Sequence, residues 1–298
     1  MLTAVLVALV IVPPPLPTAL DEEVPVAITI DDLPWVGLAG DRALEATDRP
    51  LEALVSRGVT ATGFVNCDRA DDRGPILSRW RAAGMPLGNH SAAHRDLNRA
   101  DLAVWLEDVR RCDRFLRRLT GEPVRWFRFP MLHQGPTLER RRAATEVLEE
   151  LGYRNAHVSI DTSDWLLAVA FREALARGDH AEAERVGRAH VEHVVEAARH
   201  YRDVARERFG RDVAHVILLH ANALNADWLG VALDALAAEG FRFVPLEQAL
   251  ADPVYEMRDG YVGENGISWL YRVEPAVPAA ADWDRAREDE IRERFGVR

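Results

Sequence analysis

Short apolar segments alternate with amphipathic segments along the chain, and a glycine follows most of the amphipathic ones. The apolar, β-branched runs predict strands over residues 24–30, 59–66, 124–129, 156–160, 214–219 and 241–245. Apolar residues at helical spacing predict helices over residues 41–57, 75–83, 101–119, 137–151 and 226–239. The sequence of strand, helix, glycine and strand recurs about seven times, which is typical of parallel βα units. This number of units favours an α/β fold with a (β/α) barrel over a short open sheet.

One stretch departs from this alternation. Residues 166–210 predict one short and one long helix, with a break near Gly178. We interpret residues 166–213 as a helical insertion that packs against a barrel spanning residues 24–251. Residues 252–298 contain proline and mixed charges, predict no definite element, and form a C-terminal extension.

The first 23 residues predict a signal peptide and a short linker. Residues 2–12 are continuously apolar and would span only about 16 Å as a helix, against a hydrocarbon core of roughly 30 Å. This length suits the apolar region of a secretory signal, although no Lys or Arg precedes it. A buried first strand or a misassigned start codon are the alternatives. We expect an exported protein with no later segment able to span a membrane.

Composition narrows the class of protein. Hydrophobic residues make up 48% of the chain and charged residues 29%, which indicates a folded protein with an apolar core. The net charge is −11, so we expect no nucleic-acid partner, because a phosphate backbone requires a basic surface. The two cysteines, Cys67 and Cys112, cannot form a thiolate zinc site. We expect both thiols to be buried and unpaired, with a single bridge after export as the alternative.

Polar residues follow several predicted strands, where catalytic groups collect in parallel α/β folds. They are Asp31, Asp32, His90, Arg128, Asp164 and His220. His90 and His94 are four residues apart, so a helical turn between them would let both imidazoles bind one metal ion. Ser91 stands where a metalloprotease has glutamate, so this is not a metalloprotease motif. A carboxylate from Asp31 or Asp32 would supply a third ligand.

Five short motifs occur in a fixed order within residues 24–250. They are Thr29-Ile30-Asp31-Asp32, Gly88-Asn89-His90-Ser91-Ala92-Ala93-His94, Arg128-Phe129-Pro130, Asp161-Thr162-Ser163-Asp164-Trp165 and Leu218-Leu219-His220. Together they resemble the motifs of the polysaccharide deacetylases, the nodulation-protein-B homology family of carbohydrate esterases. The resemblance implies a distorted (β/α) barrel and metal-dependent removal of N- or O-acetyl groups from a glycan.

The resemblance also implies a role for each motif residue. Asp32, His90 and His94 would bind one divalent metal ion, most simply zinc. Asp31 would be the general base, held by Arg128, and its pKa should stay low next to the metal ion and Arg128. His220 would be the general acid, oriented and kept charged by Asp164. Trp165 and Leu218 would shape the acetyl pocket, and the backbone N–H of Met131 would bind the oxyanion.

Several interpretations stay open at this stage. Met131 to Gly135 depart from the aromatic residue and glycine that the family places after Pro130, so the sugar-binding wall differs and the glycan is not identified. The alternatives are a barrel amidase acting on another non-peptide C–N bond and a non-catalytic exported glycan-binding protein. His190 and His193 are expected to pack on the long helix without binding metal, and Asp161 to hold a turn. Trp35 and His133 could contact substrate or pack.

Overall fold

The structure is a computed structural model that describes residues 23–36, 40–70 and 74–297. Residues 1–22, which contain nearly all of the predicted signal peptide, lie outside the described residues. Within the described ranges, no helix combines the length and the apolar composition needed to cross a membrane.

Eight parallel strands form one sheet in the order β5-β4-β3-β2-β1-β7-β6, and β8 pairs with β1. The strands are β1 (Val24–Leu33), β2 (Ala61–Val65), β3 (Leu87–Asn89), β4 (Trp126–Phe127), β5 (Arg154–Asn155), β6 (Ile160–Asp161), β7 (His215–His220) and β8 (Phe241–Phe243). β5 and β6 do not pair with each other, so the barrel is open on that side. This arrangement confirms the prediction of a distorted barrel.

The strand register explains why the motif residues meet. β1 is buried along most of its length and pairs with both β2 and β7. Asp31 on β1 stands opposite His220 on β7. On the other side of β1, Asn89 at the end of β3 pairs with Phe127 at the end of β4. The next residue of each strand, His90 and Arg128, therefore leaves the sheet at the same edge. The carboxyl ends of the parallel strands therefore gather the predicted site.

Helices cover the sheet, and most begin and end within a few residues of their predicted bounds. They are α1 (Gly40–Ser56), α2 (Gly74–Ala82), α3 (Leu102–Thr120), α4 (Leu138–Glu150), α5 (Asp164–Ala176), α6 (His180–Phe209), α7 (Ala223–Ala238), α8 (Leu246–Ala249), α9 (Trp269–Arg272) and α10 (Asp282–Phe295). α3 shows how local signals set these limits. Asp101 accepts hydrogen bonds from the Ala103 and Val104 amides at its start, and Gly121 adopts a left-handed conformation at its end.

Two helices, one short and one long, occupy the stretch that we interpret as a helical insertion. α5 and α6 are separated by a short break at Gly178 and Asp179, and the Asp179 side chain caps α6. The predicted apolar face of α6 is buried, including Val186, Val194 and Ala197. The insertion packs against α7 and β6 and therefore supports the side of the barrel that carries His220.

The chain between β5 and β6 differs from the prediction. The predicted strand over residues 156–160 is wrong, because β5 ends at Asn155 and β6 begins only at Ile160. The tail occupies the gap: the Trp269 amide donates to Val158 O at 2.6 Å, and Ser268 Oγ donates to Ser159 O at 2.8 Å. Hydrogen bonds to the C-terminal segment therefore replace a continuous strand there.

The expectation of unpaired thiols is also wrong. Cys67 and Cys112 form a disulfide, with their Cα atoms 5.3 Å apart. The bond joins the 3-10 turn Cys67–Arg69, which follows β2, to helix α3. The two positions are 45 residues apart in the sequence, and the packing of α3 against the turn that holds Cys67 brings them together.

Candidate active site

Eight of the ten predicted site residues border one cavity of about 470 Å³ at the carboxyl ends of the strands. These residues are Asp31, Asp32, His90, His94, Met131, Trp165, Leu218 and His220. The other two, Arg128 and Asp164, are 1% and 0% exposed, and each is bonded to a cavity residue. The structure therefore brings the predicted constellation together.

Asp32, His90 and His94 can offer ligand atoms that all lie within 4.8 Å of one another. The helical turn predicted for residues 90–94 is wrong, because this segment is a loop in which His94 has a positive φ of 53°. Polar side chains hold the loop: Asn89 Oδ1 accepts the Ser91 amide at 2.8 Å. The two imidazoles still meet, with ring centroids 4.9 Å apart.

His90 is prepared to act as a ligand. Its Nδ1 lies 2.8 Å from the carbonyl oxygen of Arg128, which can only accept, so Nδ1–H donates and Nε2 keeps its lone pair. Burial lowers the pKa of His90 well below its ordinary value, and burial also lowers the pKa of His94. Both rings are therefore neutral near pH 7, which is the form that binds metal.

Asp32 sits in a left-handed conformation, with φ of 68°, at the end of β1. Its Oδ1 is buried and has no hydrogen-bond partner among the described residues. Burial acts to raise the pKa of Asp32, but favourable interactions with the neighbouring histidines and with Arg69 outweigh burial and lower it. A buried, ionised and unbonded carboxylate oxygen beside two neutral imidazoles is a donor set that a divalent cation would satisfy.

Asp31 lies behind the ligand residues and is 2% exposed. Arg128 Nη1 donates to both of its carboxylate oxygens, at 3.2 and 3.3 Å. Without a metal ion, burial raises the pKa of Asp31 above the ordinary value, although Arg128 opposes the effect, and a low pKa next to a bound cation stays a prediction. The desolvation of a fully enclosed carboxylate exceeds the attraction of one guanidinium. A higher pKa makes Asp31 a stronger base.

Asp164 and His220 form a short buried pair. His220 Nδ1 lies 2.6 Å from Asp164 Oδ1, and the His220 amide donates to Asp164 Oδ2 at 3.0 Å. Burial acts to lower the pKa of His220, but Asp164 raises it to about 10. Burial acts to raise the pKa of Asp164, but His220 lowers it to about 2. The pair therefore holds His220 protonated at neutral pH, as expected.

Two asparagines complete the surroundings of Asp164, and the sequence analysis did not identify them. Asn225 Nδ2 donates to Asp164 Oδ2 at 2.6 Å, and Asn222 Nδ2 donates to the same oxygen at 3.1 Å. A sequence signal was present, because Asn225 is a polar residue within the apolar helix α7 and follows a strand-end histidine. A buried amide in such a position requires polar partners.

The remaining wall of the cavity is partly apolar. Trp165 and Met131 are each 43% exposed at the rim, whereas Leu218 is 5% exposed on the floor and packs with Leu132 and Val158. Met131 and Leu132 both have positive φ values, of 54° and 55°. Both residues of this unusual turn border the cavity.

The contacts of the remaining candidate residues show which of them border the cavity and which pack in the interior. His190 and His193 are buried in the packing of α6, and within the described ranges the sole carboxylate and imidazole cluster with metal-ligand geometry is the Asp32 group. Trp35 is 3% exposed and donates to Thr47, so it packs. His133 borders the cavity and bonds to Asp96. Asp161 also borders the cavity and accepts the Ser163 amide in a turn.

Sequence comparison relates part of this chain to a known family. Residues 20–156 match the family model described as polysaccharide deacetylase. A chitin deacetylase from Colletotrichum lindemuthianum is 29% identical over 145 residues, which cover 47% of this chain and 52% of the relative. A peptidoglycan-N-acetylglucosamine deacetylase from Bacillus cereus is 29% identical over 141 residues, covering 47% and 46%. The chain spans about half the length of these curated relatives.

Solved structures share the fold over a longer stretch. The Colletotrichum lindemuthianum chitin deacetylase structure has a TM-score of 0.55 at 22% identity, covering 78% of this chain and 89% of that chain. A family 4 carbohydrate esterase from Streptomyces lividans has a TM-score of 0.51 at 21% identity, covering 77% and 96%. A family 4 pseudoenzyme from Bacillus anthracis has a TM-score of 0.54 at 16% identity, covering 77% and 66%.

The sequence match includes the first three of the five motifs, and the fold is shared over 77–78% of the chain. We therefore conclude that residues 20–156 are similar to the polysaccharide deacetylases and that the chain has the (β/α) barrel fold of the family 4 carbohydrate esterase structures.

Proposed function

We propose that this protein is a metal-dependent hydrolase that removes N- or O-linked acetyl groups from a glycan. The observation that carries the proposal is the placement of three clustered ligand residues beside a buried carboxylate and a histidine–aspartate pair, all around one cavity. The ligands would be Asp32, His90 and His94, and the ion would be divalent, most simply zinc. Three protein ligands with room for a fourth are typical of catalytic zinc.

The donor set fits such an ion. Asp32 Oδ1 is buried without a hydrogen bond, with the Arg69 guanidinium 3.4 Å away, and the hydrogen bond from His90 Nδ1 to the Arg128 carbonyl leaves Nε2 free to bind. When bound, the cation would polarise the acetyl carbonyl and lower the pKa of the attacking water.

Asp31 would act as the general base. Arg128 fixes it through two hydrogen bonds, and Arg128 is itself held by a bond from Nε to Ala156 O at 2.7 Å. Because burial raises the pKa of Asp31, its carboxylate can remove a proton from the attacking water more readily than an exposed aspartate can.

His220 would act as the general acid. An amine or alkoxide leaves the tetrahedral intermediate only when it is protonated, and Asp164 keeps His220 charged at neutral pH. The backbone N–H of Met131 would donate to the oxyanion, while Leu218 and Trp165 would enclose the acetyl methyl group.

Export of the protein is part of the proposal. The Cys67–Cys112 disulfide supports it, because structural disulfides form mainly in oxidising compartments outside the cytosol. An acetylated glycan outside the cytosol would then be the partner.

The proposal is tested by measuring metal content and acetate release on the same purified protein. Peptidoglycan, chitin oligomers and acetylated xylan are assayed in parallel, before and after chelation and after zinc is restored. We expect acetate release from at least one glycan, its loss on chelation, and its return with zinc. A set of cyclic amides is assayed beside the glycans: ring opening without acetate release would favour the amidase, and glycan binding without turnover would favour the non-catalytic alternative.

A further inference from the structure

The C-terminal segment borders the catalytic cavity. Gly266 and Glu288 line the same cavity as Asp31 and His220, although both lie beyond the five motifs and beyond residue 251, where the predicted barrel ends. The tail is therefore placed to influence the chemistry, and Gly266 has the more specific contacts.

Gly266 stands at the start of a firmly held segment. Ile267, Ser268 and Trp269 are all less than a tenth exposed. The Trp269 amide donates to Val158, and its indole Nε1 donates to Val254 O at 2.7 Å. Because both sides of this segment are bonded, its position relative to the cavity is fixed.

Gly266 lies directly against the turn formed by Met131 and Leu132. A Cβ atom added at residue 266 would stand 2.0 Å from Met131 O and 3.0 Å from Leu132 Cβ. The first contact is with backbone, so the peptide between Met131 and Leu132 would have to move, and the Met131 N–H on the other side of the same Cα would move with it. Two successive non-glycine residues with positive φ cost free energy and persist only where the surrounding structure enforces them.

We propose that Gly266 is a positioning residue for deacetylation, which holds the Met131–Leu132 turn so that the Met131 N–H faces the developing oxyanion. The inference rests on the proposed function. A glycine is needed because it alone lets the tail approach Met131 O this closely.

The test compares Gly266→Ala with Gly74→Ala. Gly74 has no atom within 4 Å of an added Cβ, so it controls for the glycine-to-alanine change itself. We expect Gly266→Ala to lower kcat about 10- to 100-fold, with KM and zinc content unchanged, because a displaced oxyanion donor acts mainly in the transition state. Gly74→Ala should match wild type. A tetrahedral phosphonamidate analogue should bind Gly266→Ala at least about 10-fold more weakly, while the deacetylated product binds equally.

Equal kcat and equal analogue affinity in the two variants would overturn the role of Gly266. If the wild type releases no acetate from any substrate, the proposed function itself fails, and this inference fails with it. Should Gly266→Ala not fold, Trp269→Phe removes the indole donor to Val254 and part of the ring that packs on His157, and we expect a smaller change with the same kcat-against-KM pattern. A change in KM alone would count against the proposal.

A different observation, a buried hydrogen-bond chain behind Asp164, carries a second inference. Asn225 Nδ2 donates to Asp164 and also to His220 O at 2.8 Å, which uses both of its hydrogens. Asn225 Oδ1 lies 3.0 Å from His190 Nε2, so this nitrogen must be the donor. His190 Nδ1 has no hydrogen-bond partner in the described part of the chain, consistent with a neutral ring.

We infer that Asn225, oriented by His190, is a positioning residue for the general acid. Asn225 is 2% exposed and His190 is 0% exposed, so neither has a competing contact with solvent. His190 belongs to α6 of the helical insertion. The insertion would thereby fix Asp164, and through it the direction in which His220 delivers its proton. This inference also rests on the proposed function.

The dependence of the rate on the leaving group tests this role. An amine or sugar alkoxide needs a proton to leave, whereas the phenolate of 4-nitrophenyl acetate does not. We expect Asn225→Ala to lower acetate release from the glycan by about 10-fold or more and to leave 4-nitrophenyl acetate hydrolysis within about twofold of wild type. Asn155→Ala, which removes another partly buried amide at β5, serves as the control and should change neither rate.

Equal losses on both substrates would show a general structural role and overturn the inference, as would no loss on either. If Asn225→Ala does not fold, His190→Phe breaks the same chain one step further from Asp164 and should give a smaller loss, again confined to the glycan. A wild-type enzyme that hydrolyses the aryl ester but no glycan would instead count against the proposed substrate class.

Discussion

Removal of the Cys67–Cys112 disulfide should destabilise the protein strongly. The bond closes a loop over a sequence separation of 45 residues. The loss of loop-closure entropy from the unfolded chain for a loop of that length corresponds to about 4 kcal/mol at 25 °C. This is a large share of the roughly 5–15 kcal/mol by which a typical domain is stable.

The effect should extend to the metal site. The Cys67 amide donates to Ser91 O at 3.4 Å, and the Asp68 amide donates to Ala92 O at 3.0 Å. The disulfide thus anchors the turn against which the loop between His90 and His94 is hydrogen-bonded. We expect reduction to weaken metal affinity as well as to lower the free energy of unfolding.

Urea denaturation followed by the fluorescence of the eight tryptophans measures the change. The wild type is compared with and without a phosphine reductant, and the double variant Cys67→Ala with Cys112→Ala is treated in the same way. We expect the reductant to lower the free energy of unfolding of the wild type by about 4 kcal/mol and to leave the double variant unchanged. Two free thiols detected in the denatured, unreduced wild type would refute the reasoning, as would a transition that the reductant does not move.

Three further predictions concern the cavity. His94→Ala should sharply weaken metal binding, since it removes one of three ligands, and elemental analysis showing full occupancy would contradict the ligand set. Asp31→Asn should lower turnover about 10²-fold or more while the metal stays bound, and loss of the metal instead would show that Asp31 is a ligand. Asp164 raises the pKa of His220 to about 10, so the protonated form is populated at neutral pH and is lost as the pH rises through the pKa. A cation bound nearby would lower the pKa at which the proton is lost. The alkaline limb of the rate profile should therefore move to lower pH in Asp164→Asn, and an unmoved limb would exclude His220 as the acid.

The sequence alone predicted the parts of the fold in which polar residues directly follow an apolar strand pattern. Polar residues that follow β-branched runs could be assigned to strand ends, and parallel packing then required Asp31 and His220 to meet. The two helices of the insertion were also predictable, because Gly178 and Asp179 interrupt an otherwise continuous helical pattern.

The sequence was insufficient where long-range contacts decide the conformation. The loop between His90 and His94 is not helical, because Asn89 and Asp108 bond its amides. The chain between β5 and β6 bonds to Ser268 and Trp269, more than 100 residues away. No local pattern encodes such contacts.

The pKa of Asp31 shows a second kind of limit. From the sequence, an aspartate beside an arginine should be more acidic than usual, and the sign of that interaction is correct. Burial is larger and opposite, and the depth at which Asp31 lies depends on the whole sheet. A sequence can name the partner of a charge, but it does not give the balance between attraction and desolvation.

The fold by itself does not decide whether this chain is a catalyst. The same architecture is found in a chitin deacetylase and in a pseudoenzyme, at similar TM-scores. Function therefore depends on a few side chains at the strand ends. In this chain, the carboxylate of Asp32, a ligand in the proposed site, is buried without a hydrogen bond. Asp31 is also buried, and its burial raises its pKa and so disfavours the ionised form. Buried carboxylates cost stability unless a cation compensates them; Arg69 and Arg128 supply part of that charge, and a metal ion in the proposed site would add to it.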